Sequence, residues 1–209
     1  METAGLILGV KIDYYAVVDM MGLVDMVDAL GGITINLKSA LDITYAPLNE
    51  GEAKKSYVFE VGPNKLDGLE ALAYARDRSD SDDYVRMGRQ RCVIMAMLYQ
   101  NSVSKLTLHF PQIASALEKN VRTNIPLDTL PDLIKLRSKV KTSNMITVGF
   151  TPPDWVSGYT DKRYNILDFP KVKAAVKTIL NDPDKWIADH TPVSTGSGGS
   201  ASDCWRTSN

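Results

Sequence analysis

The stretch "YYAVVDMMGLVDMVDALGGITINL", from Tyr14 to Leu37, contains the patterns that indicate the fold class. Two short runs, Tyr14–Asp19 and Ile33–Leu37, are rich in β-branched and aromatic residues, which favour strands. Between them, Met20–Leu30 places leucines and valines at helical spacing. Gly31-Gly32 follows, as glycine often does after the last turn of a helix. A strand, a helix and a strand in succession predict an α/β protein in which helices cover a sheet.

The rest of the chain continues this alternation of strand and helix patterns. We expect Tyr14–Asp19, Ile33–Leu37 and Met145–Phe150 to contribute strands to one shared sheet. The polar segment Asp42–Lys55, which contains proline and glycine, reads as a surface loop. The remaining predictions are a strand at Tyr57–Val61, a short helix that starts at Asp67 or Gly68, and helices at Asp83–Val103, Ile113–Leu117, Leu127–Leu136 and Phe169–Leu180.

Length and charge set limits on the class of protein. A chain of 209 residues suits one domain, which we place at residues 1–190, followed by a flexible Ser/Gly-rich tail at residues 191–209 that carries Cys204. The formal net charge of −1 gives the whole molecule no electrostatic preference for nucleic acid. No apolar run approaches the ~20 residues that a membrane-spanning helix needs. A site for anions must therefore be local.

Five of the nine arginines lie in one window, "YARDRSDSDDYVRMGRQRC", from Tyr74 to Cys92. The window contains no lysine, although lysine is the commoner cation in the whole chain. Guanidinium groups hold phosphate oxygens in pairs, which an ammonium group cannot do, and they can neutralise charge on a transferring phosphoryl group. This composition predicts a site for a ligand with two or more negative charges.

The spacing of residues within the window predicts how the site is arranged along a helix. With Asp83 as the N-cap of a helix, Arg86, Arg89 and Gln90 lie close to one another on its surface, and Val93 and Met97 continue the same stripe. The stripe begins cationic and becomes apolar, which fits a phosphate head with an apolar tail. Arg76 and Arg78 precede the helix, where an extended backbone would place both side chains on the same side.

Two other interpretations of the window stay open on the residues alone. Asp77, Asp80, Asp82 and Asp83 could pair with all five arginines and form a solvated ion-pair surface. Nucleic-acid binding is the weaker alternative, because the net charge is close to zero and no basic recognition helix is evident. The two histidines and two cysteines show no spacing of a zinc site or of a catalytic triad.

The segment "LDGLEALAYARDRSDSDDYVRMGRQRCVI", from Leu66 to Ile94, resembles the LytR-CpsA-Psr family. Its members carry an L-D-G-x-x-A-L-x-Y-x-R-x-R motif followed by D-x-x-R-x-x-R-Q. The resemblance extends from about Leu6 to Leu98. The matching residues are Leu66, Asp67, Gly68, Ala71, Leu72, Tyr74, Arg76, Arg78, Asp83, Arg86, Arg89 and Gln90.

This resemblance implies an α/β/α layered domain around a mixed central sheet. It also implies an extracytoplasmic phosphotransferase, anchored in the membrane by an N-terminal helix that this sequence does not contain. Such an enzyme moves a glycopolymer from a polyprenyl-pyrophosphate carrier at the membrane surface to peptidoglycan or a cell-wall protein, with Mg²⁺ beside the pyrophosphate. A non-catalytic module that binds polyprenyl phosphate or the envelope is the alternative.

The resemblance also assigns roles to single residues. Arg78 and Arg86 become the catalytic residues that grip the pyrophosphate, supported by Arg76, Arg89 and Gln90, while Asp83 orients an arginine. Val93 and Met97, facing apolar residues between Leu23 and Leu30, would form one wall of a pocket for the polyprenyl chain. In an extracytoplasmic protein, Cys92 and Cys204 should form a disulfide, and the alternative is that the two cysteines are unrelated.

One part of the family pattern has no counterpart in this sequence. Family members carry an earlier R-x-D element and an S-I-P-R-D stretch, whose aspartates bind Mg²⁺, and nothing before Tyr14 matches them. The metal ligands therefore stay unassigned. We expect the chain to be a fragment, or a gene product whose start lies downstream of that segment.

Overall fold

The computed structural model describes residues 1–45, 53–78, 83–101, 108, 113, 115, 118, 120–139, 148–160, 165–189 and 204. The chain divides into two compact units. The smaller unit comprises Met1–Tyr15, Thr123–Ile125 and Ile146–Val193, and the larger unit comprises Ala16–Arg122, Pro126–Met145 and Ser194–Asn209. The arginine window lies in the larger unit.

Helices and strands alternate along the chain, as the sequence predicts for an α/β protein. The helices are α1 (Glu2–Leu8), α2 (Met20–Ala29), α3 (Gly68–Arg76), α4 (Asp83–Gln100), α5 (Leu130–Lys139), α6 (Phe169–Asn181) and α7 (Pro183–Asp189), with a 3₁₀ turn at Leu127–Thr129. The strands are β1 (Ala16–Val18), β2 (Ile33–Leu37), β3 (Leu41–Tyr45), β4 (Lys55–Phe59), β5 (Gly62–Leu66), β6 (Val121–Thr123), β7 (Val156–Tyr159) and β8 (Asn165–Leu167).

The strands of the described residues pair two by two. β2 pairs antiparallel with β5, β3 with β4, and β7 with β8, while β1 pairs with β6. The predicted strands around Tyr14–Asp19 and Ile33–Leu37 are therefore present but do not share a sheet. The local pattern indicates where a strand forms, whereas its partner depends on residues far along the chain. Of Met145–Phe150, residues 145–147 lie outside the described residues, and residues 148–150 are not in a strand.

The predicted loop at Asp42–Lys55 is partly wrong. Its first residues belong to β3 and its last residue begins β4, while residues 46–52 lie outside the described part. The alternation of Leu41, Ile43 and Tyr45 is a strand pattern. The strand places Ile43 in the core, and the burial of this side chain outweighs the preference of the neighbouring polar residues for a loop.

The core of the larger unit lies where α2, α3 and α4 meet β2 and β5. Its most deeply buried side chains come from all of these elements and from β3: Val27, Ile33, Ile35, Ile43, Leu66, Ala71, Ala73, Cys92, Val93 and Ala96. The Gln100 side chain at the end of α4 bonds both backbone groups of Thr34 in β2, at 2.8 and 2.6 Å. Helix α4 is thereby fixed against the strand pair.

Helix α3 begins with a capping box. Asp67 accepts a hydrogen bond from the backbone of Glu70, whose carboxylate accepts one from the backbone of Asp67, both at 2.9 Å. This reciprocal pair satisfies two amide groups that the first turn leaves without partners. The predicted start of the helix is confirmed.

Gly68 allows α3 to pack closely against α2. A Cβ atom at Gly68 would lie 2.4 Å from the carbonyl oxygen of Val24, which is rigid helix backbone. The amide of Gly68 also donates to the carboxylate of Asp28, at 2.7 Å. The glycine of the L-D-G motif therefore positions the helix that leads into the arginine window.

The smaller unit is organised around Trp155. Phe150 meets its ring edge-on at 5.0 Å, Trp186 lies 6.0 Å away, and the Nζ atom of Lys171 lies over the ring at 5.1 Å. Asp168 caps α6 by accepting from the amide of Lys171. The helix predicted at Phe169–Leu180 is confirmed.

We predict that Gly68→Ala destabilises the larger unit by about 1–3 kcal/mol, because an added Cβ overpacks a rigid contact. Gly158→Ala is the matched control, since a Cβ there meets no atom within 4 Å. Urea unfolding of both variants measures the difference. Equal stability of the two variants would contradict the close approach of α2 and α3.

Candidate functional site

The arginine window joins the end of α3 to the start of α4. Arg76 is the last residue of α3 rather than part of an extended segment. The alanine-rich run before it favours a helix, and a cation suits the last helical turn. The expectation that Arg76 and Arg78 extend side by side is therefore wrong. Asp77 ends the helix with an extended backbone, and Arg78 follows it.

Asp83 brings Arg78 and Arg86 together. Its Oδ1 atom accepts a hydrogen bond from the Nη2 atom of Arg78 at 2.7 Å. The same oxygen lies 2.7 Å from the Nη2 atom of Arg86. Asp83 is the first residue of α4 rather than its N-cap, and its carboxylate lies at the positive end of the helix dipole. Among the described residues, two guanidinium groups thus share one carboxylate oxygen.

The Nε atom of Arg86 is a buried donor with no hydrogen-bond partner within the described part of the protein. The side chain of Arg86 is 27% exposed, so its guanidinium combines a desolvated edge with an accessible one. A buried donor without an acceptor costs free energy and often indicates a place where a ligand or ion binds. Arg86 is thus the strongest candidate for an anion ligand.

Asp77 and Arg89 form a buried ion pair. Their side chains are 5% and 12% exposed, and the Nη1 atom of Arg89 donates to the Asp77 carboxylate and, at 3.0 Å, to the Asp77 carbonyl oxygen. The guanidinium lies 5.8 Å from the centre of the Tyr74 ring. Burial raises the pKa of Tyr74 to about 12, and the positive charge of Arg89 opposes part of this rise. Arg89 therefore joins α3 to α4.

Val93 and Met97, which were expected to continue the arginine stripe as the wall of a pocket, lie in or against the core instead. Val93 is 1% exposed and belongs to the core, and Met97 packs against that core. Gln90 is exposed on the neighbouring face of α4. Their roles in substrate binding stay predictions.

Sequence reasoning missed the exposed apolar residues of α4 and the distinct position of Arg91. Arg91 is half-buried, and burial lowers its pKa. Met87, Ile94 and Leu98 are exposed. Their spacing from Asp83 could have revealed a common face, but spacing alone does not tell which face of a helix is buried.

The described residues leave the ligands of the expected Mg²⁺ unassigned. Within them, no group of three His, Cys, Asp or Glu side chains could hold a metal ion. The carboxylates of Asp77 and Asp83 both contact guanidinium groups.

Cys92 and Cys204 lie next to each other in the structure. The Cα atoms of Cys92 and Cys204 lie 6.0 Å apart, within the range that disulfides span. The carbonyl oxygen of Cys204 accepts from the amide of Asn36 in β2, at 2.7 Å. Cys204 thus contacts both α4 and the outer edge of β2.

An arginine pair at a helix N-terminus, on an α/β scaffold with this motif order, is typical of proteins that bind phosphate groups. Residues 1–178 match the LytR_cpsA_psr family, and the chain belongs to that family. The crystal structure of Bacillus subtilis TagV superposes with a TM-score of 0.61 at 26% sequence identity. The match covers 86% of this chain and 68% of the TagV chain.

Two curated relatives are longer than this chain. Biofilm regulatory protein A of Streptococcus mutans is 38% identical over 143 residues, which are 65% of this chain and 34% of that protein. The polyisoprenyl-teichoic acid–peptidoglycan teichoic acid transferase TagU of Enterococcus faecalis is 29% identical over 191 residues, which are 87% of this chain and 57% of that protein. The chain thus spans about a third to somewhat over half of their length.

We predict that Asp77→Asn lowers the free energy of unfolding by about 3 kcal/mol, because it leaves the buried Arg89 charge without its counter-charge. Asp132→Asn is the control: it breaks the exposed pair with Lys135, which contributes about 0.5 kcal/mol or less. Chemical denaturation compares the two variants. Similar small losses would show that the Asp77–Arg89 pair does not hold the helices together.

Proposed function

We propose that this chain is part of a cell-envelope phosphotransferase that moves a glycopolymer from a polyprenyl-pyrophosphate carrier to peptidoglycan or a cell-wall protein. Membership of the family supports the reaction class. The TagU relative is named as a polyisoprenyl-teichoic acid–peptidoglycan teichoic acid transferase, which supports the class of donor and acceptor.

The observation that carries this proposal is the shared carboxylate. Arg78 and Arg86 converge on one oxygen of Asp83, and the buried Nε of Arg86 has no acceptor among the described residues. A pyrophosphate offers several oxygens to guanidinium groups that lie this close together. Asp83 holds both groups in place before the ligand arrives, which reduces the ordering that binding requires.

The reaction breaks the phosphoanhydride bond of the pyrophosphate and forms a phosphate ester with the acceptor. A hydroxyl oxygen of the acceptor attacks the phosphorus that carries the glycopolymer, and the bond from that phosphorus to the bridging oxygen breaks. Polyprenyl phosphate leaves with the bonding electron pair, and the hydroxyl proton passes to solvent. Arg78 and Arg86 would stabilise the negative charge that develops on the leaving phosphate.

The other predicted residues have supporting roles in this proposal. Arg89 acts through the buried Asp77 and keeps the end of α3 against α4, which makes it a positioning residue. Arg76 and Gln90 lie at the last turn of α3 and on the exposed face of α4, and would contact the outer part of the headgroup. Mg²⁺ remains an expectation from the family, and none of these roles depends on it.

We further propose that the chain works outside the cytoplasm, where disulfides persist. Among the described residues, no helix has both the length and the apolar character needed to span a bilayer. A disulfide between Cys92 and Cys204, whose Cα atoms lie 6.0 Å apart, would support the extracytoplasmic assignment, because disulfides are rare in reducing compartments.

A non-catalytic module that binds polyprenyl phosphate is the second candidate. The observation behind this candidate is the same arginine pair, because Arg78 and Arg86 could hold a phosphate headgroup without transferring it. Assays of turnover with a lipid-linked glycopolymer distinguish the two candidates. Binding without transfer by the purified chain would favour the module over the enzyme.

We predict that Arg86→Lys weakens binding of a soluble, short-chain polyprenyl pyrophosphate by ten- to a hundredfold while the melting temperature stays nearly constant. Lysine keeps the charge but loses the paired hydrogen bonds, which contribute about 1.5–3 kcal/mol each when the donor is charged. Calorimetric titration measures the affinity.

Arg122→Lys is the matched control for this titration, because Arg122 is exposed in β6 outside the window. Its affinity for the pyrophosphate should equal that of the wild type. If Arg86→Lys binds as tightly as the wild type and only its melting temperature falls, the window is an ion-pair surface and the proposal is wrong.

We predict that denatured, unreduced protein has no titratable thiol, because Cys92 and Cys204 are paired. Closing a loop of 112 residues would stabilise the fold by roughly 4–5 kcal/mol on the chain-entropy account. Thiol counting with a chromogenic reagent tests the pairing. Two free thiols per chain would refute it.

A further inference from the structure

Helix α4 exposes an apolar face that begins at the arginine site. Asp83, Met87, Gln90, Ile94 and Leu98 follow one another at intervals of four, three, four and four residues, which places them along one side of the helix. Met87, Ile94 and Leu98 are 43%, 51% and 40% exposed. We name these three residues the α4 stripe.

The α4 stripe is unusual because the opposite side of the same helix is already buried. Cys92, Val93 and Ala96 lie in the core of the larger unit. A helix that covers a core on one side normally presents polar residues on the other. Apolar side chains in a row on the outer side indicate a surface that contacts an apolar partner.

Arginines flank the α4 stripe on both sides. At 100° per residue, Arg86 lies on one side of the stripe and Arg91 on the other, and Arg78 lies at its N-terminal end beside Asp83. Within the described part of the chain, Arg91 forms no ion pair. An apolar row with cations on both sides is typical of helices that lie at the surface of an anionic bilayer.

We propose that the α4 stripe docks the protein on the surface of an anionic lipid bilayer. The choice of a bilayer over another partner rests on the proposed function, because a polyprenyl carrier keeps its tail in the membrane and its pyrophosphate at the surface. The Arg78–Asp83–Arg86 cluster lies at one end of the stripe. Docking by the stripe brings that cluster to the level of the lipid headgroups.

The dimensions of the helix fit this role. Met87 and Leu98 are eleven residues apart, which corresponds to about 16 Å along an α-helix. A helix in the plane of the interface inserts its apolar face about 5–10 Å, which suits side chains of this size. The flanking arginines then lie at the depth of the lipid phosphates.

Vesicle sedimentation tests the proposal directly. The wild-type chain is mixed with vesicles of phosphatidylcholine alone and with vesicles that also contain phosphatidylglycerol, because anionic lipids attract basic surfaces. We expect binding to the anionic vesicles, reduced by salt, and at least a tenfold loss in a variant with Met87→Ser, Ile94→Ser and Leu98→Ser. Val58→Ser with Leu180→Ser is the control, because both residues are exposed elsewhere.

The remaining outcomes separate this proposal from its alternatives. Absence of wild-type binding, or equal binding by the triple serine variant, would overturn docking by the α4 stripe. A dimer that dissociates in the triple variant, with no vesicle binding, would show that a second copy covers the stripe. The single variant Ile94→Ser repeats the test in case the triple variant fails to fold.

A separate titration keeps this proposal distinct from the proposed function. A soluble, short-chain pyrophosphate in the absence of vesicles measures only the arginine site. The triple variant should bind it as the wild type does. If the triple variant no longer binds vesicles but still binds the pyrophosphate, docking by the α4 stripe is supported. If the wild type binds vesicles but not the pyrophosphate, the proposed phosphotransferase function is wrong.

Discussion

The buried ion pair between Asp77 and Arg89 is the contact on which the candidate site depends. It fixes the C-terminal end of α3 to the second turn of α4 by a carboxylate and a carbonyl oxygen at once. Arg78 follows Asp77 in sequence, and Arg86 precedes Arg89 by three residues on the same helix. Holding Asp77 against Arg89 thus brings Arg78 and Arg86 to one carboxylate, that of Asp83. Burying two charges is costly, so the benefit of this pair lies in geometry more than in stability.

The arginines of the window have two different roles, structural ion pairing and anion binding. The ion-pair interpretation holds for Arg89, whose partner and surroundings are those of a structural contact. Arg78 and Arg86 differ, because they share a single carboxylate and one of their donors is buried without an acceptor in the described residues. Anion binding and ion pairing are therefore not exclusive, since the buried pair positions the arginines that remain available.

Local signals located α2, α3, α4 and α6, but they missed α1 and α7 and did not reveal how the strands pair. The capping residue Asp67 and the spacing of apolar residues are properties of a few neighbouring positions, so α3 and α4 could be located from the sequence. The partner of β1 is β6, about a hundred residues away, and no local pattern encodes it. Burial of Ile43 similarly turned a segment of loop-like composition into β3.

The same distinction applies to the site. The residue types and their order identified the arginine window, but four aspartates lay within reach, and only the fold selects Asp77 for Arg89 and Asp83 for Arg78 and Arg86. Helical spacing grouped Val93 and Met97 with the arginines. Only packing reveals that Val93 belongs to the core and that Met87 and Ile94 are exposed.

A double-mutant cycle tests most directly whether Arg78 and Arg86 form one site. The affinity for a soluble polyprenyl pyrophosphate is measured for the wild type, Arg78→Gln, Arg86→Gln and the double variant. If both guanidinium groups hold the same ligand, the losses are not additive, and the coupling free energy is about 0.5–3 kcal/mol. Additive losses, or no loss in either single variant, would contradict a shared pyrophosphate site.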